Sequence, residues 1–257
     1  MTNLALITGA SSGIGREFAR IHAQRGGHLI IVARRKDQLE ALKSELEAAH
    51  RVSVRVIAAD LTDAAAVKDL CDSLRGQRIE VLINNAGFGG QGSHVDRELE
   101  KELSMVDLNV KALVTLCHDI GGQMAKRGEG RILNVGSTAG MMPGPMQNVY
   151  FATKAFVRSY SMALAEELRS SGVTVTVLAP GYVETEFADT ADLRGTPLVK
   201  GGGKTPKSVA TFGYDQMMAG RLHVINEGML SFALNWVIPL MPHRLVLGIA
   251  RRMQTKA

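Results

Sequence analysis

Short apolar runs alternate with longer segments of helical period along the first two thirds of the chain. The runs are rich in Val, Ile and Leu with little polar alternation, which is typical of strands buried on both faces of a parallel sheet. They lie at 3–8, 28–33, 52–58, 79–83, 131–135 and 173–178. Crossover helices are predicted between them at 13–25, 37–49, 63–75, 96–127 and 149–171. The alternation therefore predicts an α/β fold, a doubly wound parallel sheet with helices on both faces.

The rhythm changes after residue 178. Pro180-Gly181 interrupts the chain, and the polar, glycine-rich stretch 190–206 predicts a mobile loop. A helix is expected over 206–219 and a last short strand over 222–225. Segment 190–220 is interpreted as a substrate loop or lid and 228–257 as a C-terminal helical extension, both within a single domain, 1–257.

Composition is that of an ordinary globular protein, with 257 residues, 46% hydrophobic and 21% charged. Two cysteines, Cys71 and Cys117, fall in predicted helices and are too few for a disulfide framework. Reduced, packed thiols and a cytoplasmic location are therefore expected. The N-terminus lacks a basic region followed by a long apolar one, so no signal peptide is expected.

The net charge of +5 is concentrated in the C-terminal quarter of the chain. From Arg194 onward there are nine Lys and Arg but only two acids, whereas residues 1–193 carry a net charge of −2. An anionic partner or surface would have to bind that quarter. Nucleic acid is not expected as a partner.

The first predicted strand runs into a glycine-rich turn at residues 8–15, Thr-Gly-Ala-Ser-Ser-Gly-Ile-Gly, directly before a helix. Glycines allow the backbone to approach a pyrophosphate, whose charge the helix N-terminus stabilises. The spacing departs from the usual G-x-G-x-x-G pattern, and the alternative is a plain tight turn. Nucleotide binding is the favoured interpretation.

Tyr150 and Lys154 are four residues apart and share one helix face. A positive charge beside a phenol favours the phenolate, so Lys154 is expected to lower the pKa of Tyr150 and make it a general acid/base. Ser137 follows a predicted strand, where its hydroxyl can donate to a substrate carbonyl oxygen. The alternatives are a core tyrosine and a turn-forming serine.

These motifs together resemble the short-chain dehydrogenase/reductase family. The resemblance runs from Leu4 to about Thr185 and rests on the 8–15 turn, Asn84-Asn85-Ala86-Gly87, Asn109, Ser137, and Tyr150 with Lys154. It implies a nicotinamide-dependent oxidoreductase on a single Rossmann-type domain. It also implies that Asn109, at the start of a long helix, holds a water that links Lys154 to solvent; plain helix capping is the alternative for Asn109.

The same resemblance assigns the cofactor site. Asp60 would hydrogen-bond the adenine amino group, Asn85 to Gly87 would line the ribose, and Thr185 would lie near the nicotinamide carboxamide. The catalytic set is Asn109, Ser137, Tyr150 and Lys154. The cofactor-binding set is Gly9, Ser11, Ser12, Gly13, Ile14, Gly15, Arg34, Arg35, Asp60, Leu61, Asn85, Ala86, Gly87, Tyr150, Lys154, Pro180, Gly181, Val183 and Thr185.

Charge at the end of the second strand favours NADP over NAD. An NAD site needs an acid there for the ribose 2′-hydroxyl, but this strand ends in Ala33-Arg34-Arg35. The Arg34 guanidinium is suited to grip a 2′-phosphate. Solvated basic residues at a helix start are the alternative.

Two other kinds of site are not expected. Gly203-Lys204-Thr205 imitates the end of a P-loop, but the first glycine of that motif would fall on Leu198 and no strand precedes it. The seven histidines show no helical pair flanking a Glu, so no metal site is expected.

The sequence thus predicts an NADP-dependent enzyme that transfers hydride between nicotinamide and a carbonyl/secondary alcohol pair. Apolar residues are expected to cap the pocket and favour a hydrophobic small-molecule substrate: Phe88, Met141, Met142, Met146 and Phe187. A non-catalytic, cofactor-sensing binding protein and a sugar epimerase are the alternatives. A homodimer or homotetramer is expected through the helices from Asn109 and from Val149.

The C-terminal extension has two further features. Segment 228–242 carries no charge and is expected to form a buried helix, too short to span a bilayer. Segment 242–253 has an apolar stripe beside Arg244, Arg251 and Arg252. A lid over the pocket or a subunit interface is the favoured interpretation, and weak contact with an anionic membrane surface is the alternative.

Overall fold

The fold is built on one seven-stranded sheet, seen in a computed structural model that describes residues 3–256. All paired strands run parallel, in the order β3-β2-β1-β4-β5-β6-β7. This confirms the predicted doubly wound sheet. The strands are β1 (Leu4–Thr8), β2 (His28–Ala33), β3 (Val54–Ala58), β4 (Ile79–Asn84), β5 (Gly130–Val135), β6 (Val173–Leu178) and β7 (His223–Val224).

Helices cover both faces of the sheet. The principal ones are α1 (Gly13–Gln24), α2 (Lys36–Ala49), α3 (Ala64–Ser73), α4 (Leu99–Val106), α5 (Leu113–Arg127), α6 (Asn148–Arg169), α7 (Phe187–Thr190), α8 (Pro197–Lys200), α9 (Pro206–Met218), α10 (Gly228–Phe232) and α11 (His243–Gln254). One apolar core contains buried side chains of α1, α2 and α9, including Phe18, Leu39 and Met217. The other contains those of α3, α5 and α6, including Leu70, Leu116 and Val157. Both faces of the central strands are therefore dry, which explains their unbroken apolar sequences.

The helix predicted over 96–127 differs from the expectation in one respect. A helical stretch runs from Leu99 to Arg127, but its middle, Asp107–Ala112, is a π-helix. Asn109 lies inside this π segment rather than at a helix start, so the expectation that it opens a helix is wrong. Within the π segment, the Asn109 side chain hydrogen-bonds to Phe88 and Thr153, contacts that the sequence pattern does not reveal.

The stretch after β6 is more ordered than a loop. Segment 190–206 contains α8, and its end pairs with Val183 through a parallel bridge to Lys204. The predicted helix and last strand are present as α9 and β7.

The C-terminal extension consists of α10, a π segment at Ala233–Val237, a 3-10 turn at Ile238–Leu240, and α11. The expected burial of 228–242 is only partly met. Leu234 is buried, but Met229, Trp236 and Leu240 are 89%, 68% and 86% exposed. The reason is that only one side of this short helical segment packs on the domain. Within residues 3–256 no helix combines the length and hydropathy that a bilayer crossing requires.

Candidate active site

A cavity of about 630 Å³ lies at the carboxyl ends of the strands, where ligands of such sheets bind. Nearly all predicted site residues line it. They are Gly9, Ser11, Ser12, Gly13, Ile14, Arg34, Arg35, Asp60, Leu61, Asn85, Ala86, Gly87, Ser137, Tyr150, Lys154, Pro180, Gly181, Val183 and Thr185. The two that do not line it are Gly15 and Asn109, and each has a structural reason.

The glycine-rich turn needs its glycines for different purposes. Gly9 and Gly13 have φ of +67° and +54°, which side chains with a Cβ rarely adopt. A Cβ on Gly15 would lie 2.3 Å from the Gly9 carbonyl oxygen. Gly15 therefore lets α1 pack against the turn, whereas Gly9 and Gly13 shape the cavity wall. The first turn of α1 contains no acid, so its N–H groups face the cavity with their positive polarity unneutralised.

Thr8 and Asn85 join the ends of β1 and β4 beneath this turn. The Thr8 hydroxyl accepts hydrogen bonds from the backbone N–H groups of Asn85 (3.0 Å) and Ala86 (3.1 Å). The Asn85 side-chain amide donates to the carbonyl oxygens of Thr8 and Gly9, at 3.1 and 3.2 Å. Thr8 was absent from the predicted set, although its place just before the first glycine was the available signal. Its role is to fix the two loops that form the cavity floor.

The two arginines after β2 differ in their contacts. Arg35 donates to the hydroxyls of Ser11 (3.1 Å) and Ser12 (2.8 Å) and forms a 2.8 Å ion pair with Glu186. Arg34 also lines the cavity, yet its guanidinium has no hydrogen-bond or ion-pair partner among residues 3–256. Arg35 is thus committed to holding the turn, while Arg34 is available to an anion.

Tyr150, Lys154 and Ser137 lie together in the cavity wall. Tyr150 and Lys154 are 9% and 5% exposed, and the Lys154 ammonium donates to the Val135 carbonyl oxygen at 2.9 Å. The Lys154 nitrogen is 5.8 Å from the centre of the Tyr150 ring. The Ser137 hydroxyl oxygen accepts from the Ala139 N–H at 3.1 Å, and the hydroxyl donates to the Pro180 carbonyl oxygen at 3.5 Å, a weak contact that a ligand oxygen can replace.

Burial determines the protonation of this group. It raises the pKa of Tyr150 to about 12, with a hydrogen bond from Ser137 acting in the opposite direction, and it lowers the pKa of Lys154 to about 8. The desolvated phenol favours its neutral form, and the expectation that Lys154 lowers the pKa of Tyr150 stays a prediction. At neutral pH Tyr150 carries its proton and is ready to donate it.

Asn109 lies behind the cavity wall. Its amide donates to the Phe88 carbonyl oxygen (3.0 Å) and the Thr153 hydroxyl (3.1 Å), and its oxygen accepts from the Phe88 N–H at 3.2 Å. A Cβ on Gly87 would meet the Asn109 oxygen at 2.9 Å and the Lys154 nitrogen at 3.4 Å, so Asn109 and Lys154 flank Gly87. Asn109 thus fixes the loop after β4; its role in a water relay stays a prediction.

The far part of the cavity is apolar. Of the five predicted cap residues, Phe88, Met142 and Phe187 line it, whereas Met141 and Met146 do not. The Phe187 ring centre is 5.3 Å from that of Tyr150. The C-terminal extension supplies more of the wall, with Leu230, Ile238, Met241, Val246, Ile249, Ala250 and Met253.

Two glutamines of the cavity wall were not predicted. Gln147 and Gln254 are 3% and 4% exposed, and the Gln147 amide donates to the Gln254 side-chain oxygen. They lie on elements far apart in the chain, so no local pattern marks them as partners. Gln147, three residues before Tyr150, was the one available clue.

No group of three or more His, Cys, Asp or Glu side chains in the described part of the chain is placed to hold a metal ion. Cys71 and Cys117 are buried as free thiols. Burial raises their pKa to about 11 and about 12, so both thiols keep their protons.

Comparison with known proteins adds to this geometry. Residues 3–194 match the family model described as short chain dehydrogenase. A sulfoacetaldehyde reductase of Chromohalobacter salexigens is 41% identical over 220 residues, 82% of this chain and 81% of that protein. The structure of a short-chain dehydrogenase from Sphingobium yanoikuyae in complex with NADPH superposes with a TM-score of 0.85 at 31% identity, covering 99% and 98% of the two chains. A bulky-bulky ketone specific alcohol dehydrogenase from Comamonas testosteroni gives a TM-score of 0.79 at 31% identity, covering 93% and 95%.

Proposed function

Because this chain belongs to the short-chain dehydrogenase family, a family of oxidoreductases, we propose that it is an NADP(H)-dependent enzyme that interconverts a carbonyl and a secondary alcohol on an apolar substrate. The observation that carries the proposal is the cluster of Tyr150, Lys154 and Ser137 at the point where a nucleotide-shaped cradle meets an apolar cavity. The NADPH complex of the similar Sphingobium protein supports the cofactor.

The residues present fit a dinucleotide phosphate. The Gly9–Gly13 turn and the open N-terminus of α1 suit the pyrophosphate. Arg34 suits a 2′-phosphate, because position 33 is an alanine and carries no acid that would repel the phosphate. Asp60 and Leu61 line the cavity where the adenine would lie, and Thr185 and Val183 where the nicotinamide would lie. When bound, the reduced cofactor supplies the hydride.

The protein side of the reaction follows from protonation and position. Tyr150, neutral at working pH, donates its proton to the carbonyl oxygen as charge develops there, and takes it back in the reverse direction. Ser137 donates a hydrogen bond to the same oxygen and so stabilises the transition state. Lys154 binds the ribose and, after Tyr150 has given up its proton, helps to supply a new proton to it. Asn109 would hold the water that links Lys154 to solvent.

The charge of the cavity favours an uncharged, bulky substrate. Within residues 3–256 the cations that line it are Arg34, Arg35 and Lys154, all on the cofactor side. A sulfonate such as that in the substrate named for the Chromohalobacter relative would find no cation among the apolar residues of the far wall. A large ketone, as named for the Comamonas protein, suits that wall better.

Tyr150→Phe tests the mechanism. The variant should bind NADPH as the wild type does and lose turnover by on the order of 10²-fold or more, because the proton donor is missing. Absorbance of reduced nicotinamide, followed with a panel of uncharged ketones and both cofactors, measures turnover; cofactor fluorescence measures binding. Phe212→Leu, at a partly buried position that packs against the core and does not line the cavity, is the control for nonspecific damage. Wild-type turnover in Tyr150→Phe would contradict the proposal.

A homo-oligomer that uses the helices from Asn109 and from Val149 belongs to the same proposal. Leu99 and Leu103 on α4 are 59% and 54% exposed, and Phe156 on α6 is 40% exposed. Large apolar side chains on this side support a subunit interface. The free thiols Cys71 and Cys117 support a reducing, cytoplasmic compartment.

The C-terminal extension acts as a lid on its inner side, since its residues line the cavity. For its outer side we propose weak contact with an anionic membrane surface. The exposed Phe232, Trp236 and Leu240 directly precede the basic α11 in the chain, and segment 228–256 contains no acid. A second copy docked on the same face would bring like charges together, whereas anionic lipid complements them.

A further inference from the structure

Gln254 and Gln147 place one carboxamide pair in an otherwise apolar cavity wall. Both side chains are more than nine-tenths buried, and both line the cavity beside residues such as Phe151, Ala250 and Met253. Buried amides normally satisfy both their oxygen and their nitrogen. The hydrogen-bond partners of these two groups therefore indicate what a ligand would have to supply.

The partners are incomplete in a specific way. The Gln147 amide nitrogen donates to the Gln254 side-chain oxygen, so the Gln254 oxygen is satisfied. The buried Gln147 oxygen has no donor among residues 3–256. The hydrogen bonds of Gln254 within the same range involve its backbone oxygen and its side-chain oxygen, not its side-chain nitrogen. The pair is thus orientated by one bond, with the Gln254 N–H₂ left to the cavity that this residue lines.

The end of α11 is held firmly enough for this orientation to matter. The Gln91 side chain donates to the Gln254 backbone carbonyl oxygen at 3.0 Å. Lys256, two residues after Gln254, forms a 2.7 Å ion pair with Asp192. Gln254 therefore occupies a defined place in the wall, fixed from the loop after β4 and from the segment after α7.

We infer that Gln254 determines substrate specificity by donating a hydrogen bond to a second oxygen atom of the substrate, such as a hydroxyl or carbonyl remote from the reacting carbonyl, and that Gln147 is the positioning residue for it. This rests on the proposed carbonyl reduction. The substrate class becomes an apolar ketone that carries one further uncharged oxygen function. A substrate lacking that oxygen would leave the Gln254 donor unpaired, which is the kind of mismatch that polar sites reject strongly.

The test uses full-length enzyme and a series of 2-alkanones of stepped chain length, each compared with its ω-hydroxy derivative, under saturating NADPH. The wild type should show a lower KM for the hydroxylated member at one chain length. Gln254→Leu should raise that KM by about 10-fold, the equivalent of one hydrogen bond of about 1.4 kcal/mol, and should lower the KM of the plain ketone, which no longer leaves an amide donor unpaired. Gln147→Leu should raise the same KM by a smaller factor, with kcat retained in both variants.

Ile249→Val is the matched control, because it trims the same cavity wall on α11 and leaves both cavity amides and the Gln91 anchor in place. It should affect plain and hydroxylated ketones equally. If Gln254→Leu also affects both equally, or if no chain length shows a preference in the wild type, the inference is overturned. If the wild type reduces no ketone in the series although NADPH binds, the proposed function fails instead, and the two failures are thus distinguished.

Discussion

Arg34→Ala should separate NADPH from NADH binding, and Arg35→Ala should not. Arg34 lines the cavity with its guanidinium unpaired among residues 3–256, whereas Arg35 is bonded to Ser11, Ser12 and Glu186. Removing Arg34 deletes a cation from the place where a 2′-phosphate would lie. Removing Arg35 loosens the turn that both cofactors need.

The size of the Arg34 effect follows from its exposure. A hydrogen bond to a charged group contributes about 1.5–3 kcal/mol. Arg34 is exposed, so solvent and salt screen part of the interaction. A loss of about 1–3 kcal/mol is expected, which is roughly a 5- to 150-fold rise in the Kd for NADPH with that for NADH unchanged.

Titration calorimetry with each cofactor, at low and at moderate salt, measures these values. The NADPH advantage of the wild type should shrink as salt is raised, because the contact is exposed. Arg35→Ala should weaken both cofactors by similar factors. Equal losses for NADPH and NADH in Arg34→Ala would refute the assignment of Arg34 to the 2′-phosphate.

Three further results are expected. Burial holds the pKa of Lys154 at about 8 in the folded chain against an ordinary 10.5, so the unfolded Lys154 binds more protons between these values and its contribution to stability should rise from pH 8 to 10; in chemical denaturation the stability of the wild type relative to Lys154→Met should increase over this range, and a constant difference would contradict the assignment. Sedimentation velocity should give a multiple of the chain mass, and Leu103→Arg with Phe156→Arg should give a monomer; a wild type that is monomeric at micromolar concentration would argue against the interface. The wild type should sediment with anionic vesicles in a salt-sensitive manner, and the double variant Trp236→Ser with Leu240→Ser should not. Equal sedimentation of the two proteins would contradict the proposed membrane contact.

The sequence predicts those parts of the molecule that depend on neighbours along the chain. Apolar runs such as 28–33 become buried strands because their burial requires no polar alternation, and the 8–15 turn is recognisable because glycine alone tolerates its backbone angles. Tyr150 and Lys154 are paired by helical spacing alone.

What the sequence does not predict depends on tertiary packing. The pKa of Tyr150 is raised by burial, which the Tyr-Lys spacing does not reveal. Gln254 meets Gln147 only because α11 crosses the cavity, and the exposure of Trp236 depends on which side of its segment packs on the domain. In each case the residue type is known from the sequence, but the residues that surround it in the folded chain are not.

The π segment at Asp107–Ala112 makes the site sensitive to helical phase. A π turn contains one residue more than the α turn it replaces, so deleting one residue there would let the backbone close into regular α-helix without losing helical hydrogen bonds. The flanking helical segments would keep their phase, because the π turn and the α turn each complete one revolution, and only side chains within the segment would change direction. Asn109 would turn away from Phe88 and Thr153, although α5 and its core contacts were kept. The helix would therefore remain stable after the deletion, but the loop after β4 would lose its hydrogen bonds to Asn109. The extra residue matters to the neighbouring cavity and not to the stability of the helix.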